Sequence, residues 1–218
     1  MAEMHDTTEE YLEHIFSLEE EGIPPMRARL VERLGLSAAA VSETVQRLQD
    51  RGYVELLPDR TLRLTDKGRK LATTVVRRHR LAERLLVDVI GLEWEKVHRE
   101  ADLWEHVLSS DVEEKLIELL GDPMTCPHGN PIPGSKRTAP EVDTVTLRES
   151  KAGAITVTRI SETLEVNEEG LKLLSHARLI PGCTATVLDT TAEGVKVRTP
   201  VGEHLVPNDV AELMFVTA

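Results

Sequence analysis

The sequence predicts a mainly α protein with small β parts, and three observations lead there. Residues 27–65 read as helix, short glycine turn, helix and strand pair. Residues 65–120 carry helical periodicity with His and acidic residues at helical spacing. After about Val142 the chain changes to short alternating runs bounded by glycines and prolines.

Taken in order, TTEEYLEHIFSLEEE reads as a first helix capped by Asp6, with Tyr11, Ile15 and Leu18 on its buried face and Gly22 and Pro24-Pro25 ending it. ARLVERL is a short amphipathic helix, GLS a tight turn with Gly35 and a capping Ser37, and AAAVSETVQRLQDRG a second helix closed by Gly52. Together they have the ingredients of a helix-turn-helix, and YVELL with TLRLT around Pro58-Asp59-Arg60 supplies a hairpin wing. A long helix runs from Thr65 to about Ile90, stopped by Gly91; residues 94–108 and 110–120 form two more. TCPHGNPIPGSKRTAPEV is rich in Pro and Gly and reads as loop and linker. Beyond it TVTLRE, AITVTRI, TATVLDT, GVKVRT and HLVP suggest a small barrel of roughly 75 residues.

The formal net charge of −12 argues against a nucleic-acid partner when taken alone, because phosphates need Lys and Arg. Its distribution reverses that impression. Residues 27–80 hold 13 Lys and Arg against 6 Asp and Glu, whereas residues 1–26 hold 8 acidic residues and no Lys or Arg. Small residues crowd the start of the second helix, where a recognition helix approaches base edges, which places Ser37, Ala39, Ser42 and Glu43 nearest the bases. Arg27, Arg29, Arg47, Arg51 and Arg60 lie on or beside these elements and suit phosphates. Glu43 must accept from a cytosine amine or point away.

Cys126 and Cys183 make no C-x-x-C pair, which fits a reducing compartment and excludes both a disulfide framework and a thiolate zinc site. No run approaches the roughly 18 apolar residues of a membrane span, and MAEMHDTTEE lacks the basic and apolar regions of a signal peptide. The expectation is a cytoplasmic protein without a membrane partner.

VHREADLWEHV, residues 97–107, carries the chemistry. At about 100° per residue, with His98 as zero, Asp102 falls near +40°, Glu105 near −20° and His106 near +80°. Val97, Ala101, Trp104 and Leu108 form an apolar stripe beside them, between about −60° and −120°. A half-buried helix with a polar shoulder would show the same quartet. The preceding helix adds His79 and Glu83 one turn apart, and two such sets in adjacent helices point to metal, because i,i+3 and i,i+4 pairs converge on one ion. With imidazole and carboxylate donors and no cysteine among them, the set suits Mn2+ or Fe2+. His14, His128, His176 and His204 read as surface or loop residues, and the cysteines as small, partly buried side chains.

DTTEEYL, RARLVERLGLS, VSETV, VRRHRLAERLL, KVHREADLWEHV and GNPIPG, in that order, resemble the diphtheria toxin repressor and iron-dependent regulator family of metal-activated transcriptional repressors. The resemblance covers residues 1–134 closely and the remainder more loosely. It implies a winged-helix DNA-binding domain over 1–73, a helical metal-binding and dimerisation domain over 74–140 and a flexible SH3-like β-barrel domain over 141–218. It further implies a homodimer on a pseudo-palindromic double-stranded DNA operator, with two metal sites per subunit and no small-molecule substrate. By this likeness His79, Glu83 and His98 are ancillary-site ligands, completed by Glu162 and Glu165, although iron regulators usually have Gln at the latter position. The primary site is similar to Asp102, Glu105 and His106 with Glu10 from the first helix. Iron-type members carry Met at position 10 and Cys at 102; the carboxylates here resemble the manganese-responsive branch and favour Mn2+, with Fe2+ as the alternative. A two-metal enzyme or a metal buffer could use the same ligands, but either leaves the basic segment unexplained.

Overall fold

A computed structural model describes residues 2–137 and 142–217; the boundary expected at residues 140 and 141 lies outside the described residues. The chain divides into two compact units, Met1–Arg78 and His79–Ala218.

In the first unit, α1 spans Ala2–Glu20, so Asp6 stands inside the helix rather than at its cap. Ala, Glu and Met are good helix formers, and nothing upstream of Asp6 stops the helix from starting earlier. The helix-turn-helix is α2, Arg27–Leu34, and α3, Ala38–Asp50, joined through left-handed Gly35 at φ 64°. Ser37 caps α3, its Oγ accepting from the Ala40 N–H at 3.2 Å. Strands β1, Val54–Leu56, and β2, Leu62–Leu64, pair antiparallel with Glu55 opposite Arg63, and form the wing. Asp59 Oδ1 accepts from the Thr61 N–H at 3.0 Å to close its turn. Tyr11, Leu12, Ile15 and Leu18 pack with Leu30, Val41, Val45 and Leu48 and with Val54 and Leu62, so α1, the two-helix motif and the wing share one core. This leaves the small-residue start of α3 outside.

Helix α4, Asp66–Leu85, runs through the division and continues as a π-helical stretch, Leu86–Ile90, ended by Gly91 at φ 79°. The helix expected over 94–108 is shorter: a 3₁₀ turn, Trp94–Lys96, leads into α5, Val97–Trp104, and Glu105–Val107 form a turn. The Val107 N–H tightens onto Trp104 O at 3.0 Å, which ends the α pattern. The apolar stripe packs as its spacing requires, with Val97 and Ala101 buried against Ala82 and Leu86, and Trp104 and Leu108 beside them. Helix α6, Ser110–Leu120, starts at a Ser109 cap.

Six strands follow: β3, Val145–Thr146; β4, Gly153–Ile160; β5, Thr184–Thr190; β6, Gly194–Thr199; β7, Gly202–Pro207; and β8, Met214–Thr217. They form one antiparallel sheet in the order β3-β8-β4-β5-β6-β7. Irregularities at Val157/Arg159 and Val187/Asp189 bend it. Three helices interrupt the strands: α7, Glu162–Glu165, α8, Glu168–Ala177, and α9, Asn208–Ala211. The core joins Ile155, Val157 and Ile160 of β4 to Leu164, Leu171 and Leu174 and to Val195, Val197 and Val216.

The segment read as loop and linker is a built element through residue 132. The Cys126 N–H donates to Asn130 O at 2.8 Å and the Ile132 N–H to Met124 O at 2.8 Å. Gly129, at φ 90°, lies so close to β4 that a Cβ there would meet Thr158 O at 2.2 Å. The Ile160 N–H donates to His128 O at 3.0 Å, Trp94 Nε1 donates to Pro127 O at 2.9 Å, and Arg84 Nε donates to Thr125 O at 2.7 Å. The loop is thereby stitched to α4 on one side and to β4 on the other.

Candidate metal centre

In the second unit, the ends of α4 and α5, the 126–130 loop and α7 bring five side chains together. His79 and Glu83 project from successive turns of α4, their Nε2 and Oε1 3.3 Å apart. His98 of α5 presents Nδ1 to His79 Nε2 at 3.0 Å, to Glu165 Oε2 at 2.9 Å and to Glu83 Oε1 at 3.5 Å. His128 places Nδ1 2.9 Å from Glu83 Oε1 and 3.1 Å from Glu165 Oε2. His79, Glu83, His98 and Glu165 each offer one ligand atom within 4.8 Å of the others, as do Glu83, Cys126 and His128. His79, Glu83, His128 and Glu165 are buried, with Glu83 and His128 wholly so.

Sequence reasoning places His128 on the surface; the structure corrects this, because the loop folds inward and Trp94 stacks edge-on against its ring at 4.8 Å. Cys126, also buried, belongs to the same wall. The available signal was the pair C-P-H beside G-N, a Cys and a His two residues apart next to polar and glycine turn residues.

The electrostatics are those of mutually supporting buried charges. Burial works against the charged imidazole of His79, but the Glu83 and Glu105 carboxylates outweigh it and hold the ring well above its ordinary value. For His98, burial is likewise overcome, chiefly by hydrogen bonds to Glu165 and Glu83, and the ring is pushed up to about 10. Burial would raise Glu83, yet the His128 and His79 charges hold it well below the usual carboxylate range. Burial, joined by the Glu83 charge, pushes the Cys126 thiol up to about 12 against a hydrogen bond with His128. At 3.0 Å, His79 Nε2 and His98 Nδ1 cannot both carry a proton, so the carboxylates raise the pair as a unit and only one of the two rings is a full imidazolium in this geometry. Glu83 Oε2 and His128 Nε2 are buried without a hydrogen-bond partner. Converging nitrogens and oxygens, two of their atoms orphaned, fit a divalent cation bound by imidazole and carboxylate.

A second, more open group adjoins the first through His79. Its Nδ1 lies 2.6 Å from Glu105 Oε2 and 3.4 Å from Asp102 Oδ1, and His106 Nε2 lies 3.3 Å from Glu105 Oε1. Glu105 is buried, whereas the Asp102 side chain is 51% exposed. Glu10 is an exposed residue of α1 in the other unit. Glu162 is not brought into either group: its Oε1 accepts from Arg80 Nη2 at 2.7 Å.

In the first unit, Ser37, Ala39, Ser42 and Glu43 form an exposed face at the N-terminal end of α3. Glu43 Oε1 sits 3.5 Å from Arg47 Nη1, and Arg47 Nη2 also donates to Thr44 Oγ1 at 2.9 Å. Arg29, Arg51 and Arg60 are exposed, Arg29 paired with Glu32 at 2.8 Å and Arg60 at φ 70° on the wing turn; Arg27 is half-buried.

Two family descriptions match the sequence: "Iron dependent repressor, N-terminal DNA binding domain" over residues 3–62 and "Iron dependent repressor, metal binding and dimerisation domain" over 65–134. The iron-dependent repressor IdeR of Mycobacterium tuberculosis is 44% identical over 99% of both chains. The diphtheria toxin repressor of Corynebacterium efficiens is 43% identical over 87% of this chain and 86% of its own. Among solved structures, a manganese-dependent transcriptional repressor in complex with manganese superposes with a TM-score of 0.84 at 29% identity, covering 97% of this chain and 99% of that one.

Proposed function

The chain belongs to the iron-dependent repressor family and is a metal-dependent, DNA-binding transcriptional repressor rather than an enzyme, and from that premise we propose that Mn2+ is its activating metal. The observation that carries the metal choice is the donor set of the outer group. Asp102 and Glu105 offer oxygen and His106 nitrogen; with Glu10 added, as the family resemblance suggests, three of four donors are carboxylates. Hard oxygen donors favour Mn2+ over later, softer ions. The inner group, His79, Glu83, His98 and Glu165 with His128 beside them, is the second of two sites per subunit in this reading. When bound, the ion supplies a positive centre shared by groups that otherwise oppose one another.

The switch follows from chain location. Glu10 belongs to the DNA-binding unit and Asp102, Glu105 and His106 to the other, so joint ligation favours one arrangement of the recognition helices over the rest. A homodimer would set two α3 helices on a pseudo-palindromic operator, roughly 34 Å apart in successive major grooves. Exposed Val89, Ile90, Leu103 and Val107 in the helical part supply apolar surface for self-association. Ser37, Ala39, Ser42 and Glu43 face bases and the arginines phosphates. No helix among the described residues is long and apolar enough to cross a membrane, which agrees with a cytoplasmic repressor.

A second reading, activation by Fe2+, is favoured by one observation: the Cys126 sulfur shares a wall with Glu83 and His128, and a sulfur donor softens that site. Operator affinity measured against free Mn2+ and Fe2+ side by side, without oxygen, tests the choice. The Mn2+ reading expects half-maximal operator binding at lower free Mn2+ than Fe2+, and the reverse order overturns it. In the same assay Arg47→Ala should flatten the salt slope of DNA binding by about one unit.

A further inference from the structure

Helix α3 carries two side-chain pairs at i,i+4 spacing on its outer surface. Glu43 Oε1 lies 3.5 Å from Arg47 Nη1, and Gln46 Nε2 donates to Asp50 Oδ1 at 2.9 Å. Both members of the second pair are exposed.

Their direction around the helix decides what they face. At about 100° per residue, with Ala39 as zero, Gln46 falls near −20° and Asp50 near +20°, between Ser42 near −60° and Glu43 near +40°. Val41, Val45 and Leu48, buried in the core of the first unit, fall at about 200°, −120° and 180°. Gln46 therefore continues the line of Ala39 on the side away from that core. It lies about 10 Å further along the axis, the rise of about three base pairs. A recognition helix approaches base edges most closely at its N-terminal end. Small Ala39 suits that approach, and further along the groove a longer side chain is needed to reach the same edges. Gln46 has that length.

The bond to Asp50 defines which way the Gln46 amide points, since reversing it would set Oε1 against a carboxylate oxygen. One amide hydrogen serves Asp50. The other hydrogen and Oε1 are the donor and acceptor that adenine matches in the major groove, through N7 and the N6 amine. Guanine presents two acceptors there, cytosine an amine and thymine a carbonyl oxygen, so adenine alone engages both ends of the amide. A Gln–Asp pair at this spacing also supports a helix on any solvated face. The direction shared with Ala39 is what sets this pair apart.

We propose that Gln46 is a specificity-determining residue that reads an adenine in each operator half-site, and that Asp50 is the positioning residue for its amide. This rests on the docking of α3 by its Ala39 face. The contact extends the reading frame of the helix beyond Ser37, Ala39, Ser42 and Glu43 by one turn, and it gives Asp50, a negative charge on a helix that meets a polyanion, a task that offsets its repulsion.

The test uses the full-length protein, loaded with whichever of Mn2+ and Fe2+ activates it, to select duplexes from a random-sequence pool; the parent's selected duplex is then varied one base pair at a time. The selected half-site should hold an adenine whose replacement weakens the parent about 5–150-fold, the range for a bidentate base contact. Gln46→Ala should lose that preference at that position alone, with an unchanged salt slope. Gln46→Glu, which can only accept, should move the preferred base there to cytosine. Asp50→Ala should weaken the adenine preference, whereas Asp50→Asn, which keeps an acceptor for the amide, should retain it. A merely structural or electrostatic role for Asp50 would change affinity for every duplex alike. A uniform loss in Gln46→Ala across all duplexes assigns the amide to a phosphate and overturns the proposal, as does selection of the parent's sequence by Gln46→Glu. An unchanged preference in Asp50→Ala overturns the positioning role. If Glu43→Gln and Ser42→Ala also select the parent's sequence, the docking of α3 itself falls and takes the proposal with it. If those two variants alter the selected bases while the Gln46 variants do not, only the role of Gln46 falls.

Discussion

The inner and outer acid–histidine groups share His79 yet are built in opposite ways. The inner one is enclosed by four segments, and every charge in it leans on another buried charge. The outer one sits at the end of α5, with Asp102 half in solvent and its expected fourth ligand in a different unit. In a buried, preassembled cluster each charge depends on the others for its balance, whereas an exposed, incomplete one costs the fold little and can report on where its missing ligand lies. The first is suited to holding the architecture and the second to switching it.

The largest expected effect breaks the inner group. Glu83→Ala leaves three histidines without their central counter-charge, and removing one partner of a buried ion cluster costs about 3–5 kcal/mol. Denaturant unfolding of the metal-free protein would measure it. A loss below about 1 kcal/mol would mean that the cluster does not hold the unit together.

Next is the pH response of the same group. His98 is raised to about 10 from 6.5, so its contribution to stability is complete below pH 6.5 and is lost as pH climbs through 10. Glu83, held low, contributes above its ordinary value of 4.5 and loses that contribution in acid. Metal-free protein should therefore weaken from about pH 7 toward 10 in unfolding experiments. Saturating Mn2+ should flatten or invert that alkaline slope, because a ligating imidazole must be neutral. An alkaline limb unaffected by Mn2+ would separate the histidines from the metal.

A smaller effect belongs to the outer group. Glu10→Met with Asp102→Cys should move activation from Mn2+ toward softer ions, read as a reordered series of operator affinities at equal free metal. Retention of the parent's order would show that these carboxylates do not set the metal. The smallest is thermodynamic: Asp102→Ala should change the metal-free unfolding free energy by no more than about 0.5 kcal/mol, as expected of a half-exposed group, while reducing the Mn2+ response.

How far the sequence foretells this contrast depends on periodicity. The two-helix motif, the wing and the α4 pair His79–Glu83 follow from regular spacing, and the structure has them where that spacing puts them. Helix α8 was missed although Asn167 caps it and Leu171 and Leu174 recur at helical spacing, because alternating β runs surround it on both sides. Strand β8 is too short, at four residues, to alternate convincingly. His106 sits in the turn beyond α5, where an angular projection from helix geometry no longer applies. His128 and Asn130 were invisible for a different reason. A Pro- and Gly-rich stretch has no period, so nothing local distinguishes a solvated loop from one pressed against two elements far away in sequence.

That loop also sets a schedule for synthesis. Thr125, Cys126 and Pro131 reach back to α4 across 41–51 residues, and Asn130 reaches forward 30 and 35 residues to Ile160 and Glu165. A chain emerging from the ribosome has its histidines and Glu83 long before Glu165 arrives to balance them. Until then the wing and recognition helix can be complete while the inner cluster is not. Synthesis through Glu165 is the point at which the inner cluster gains its second carboxylate.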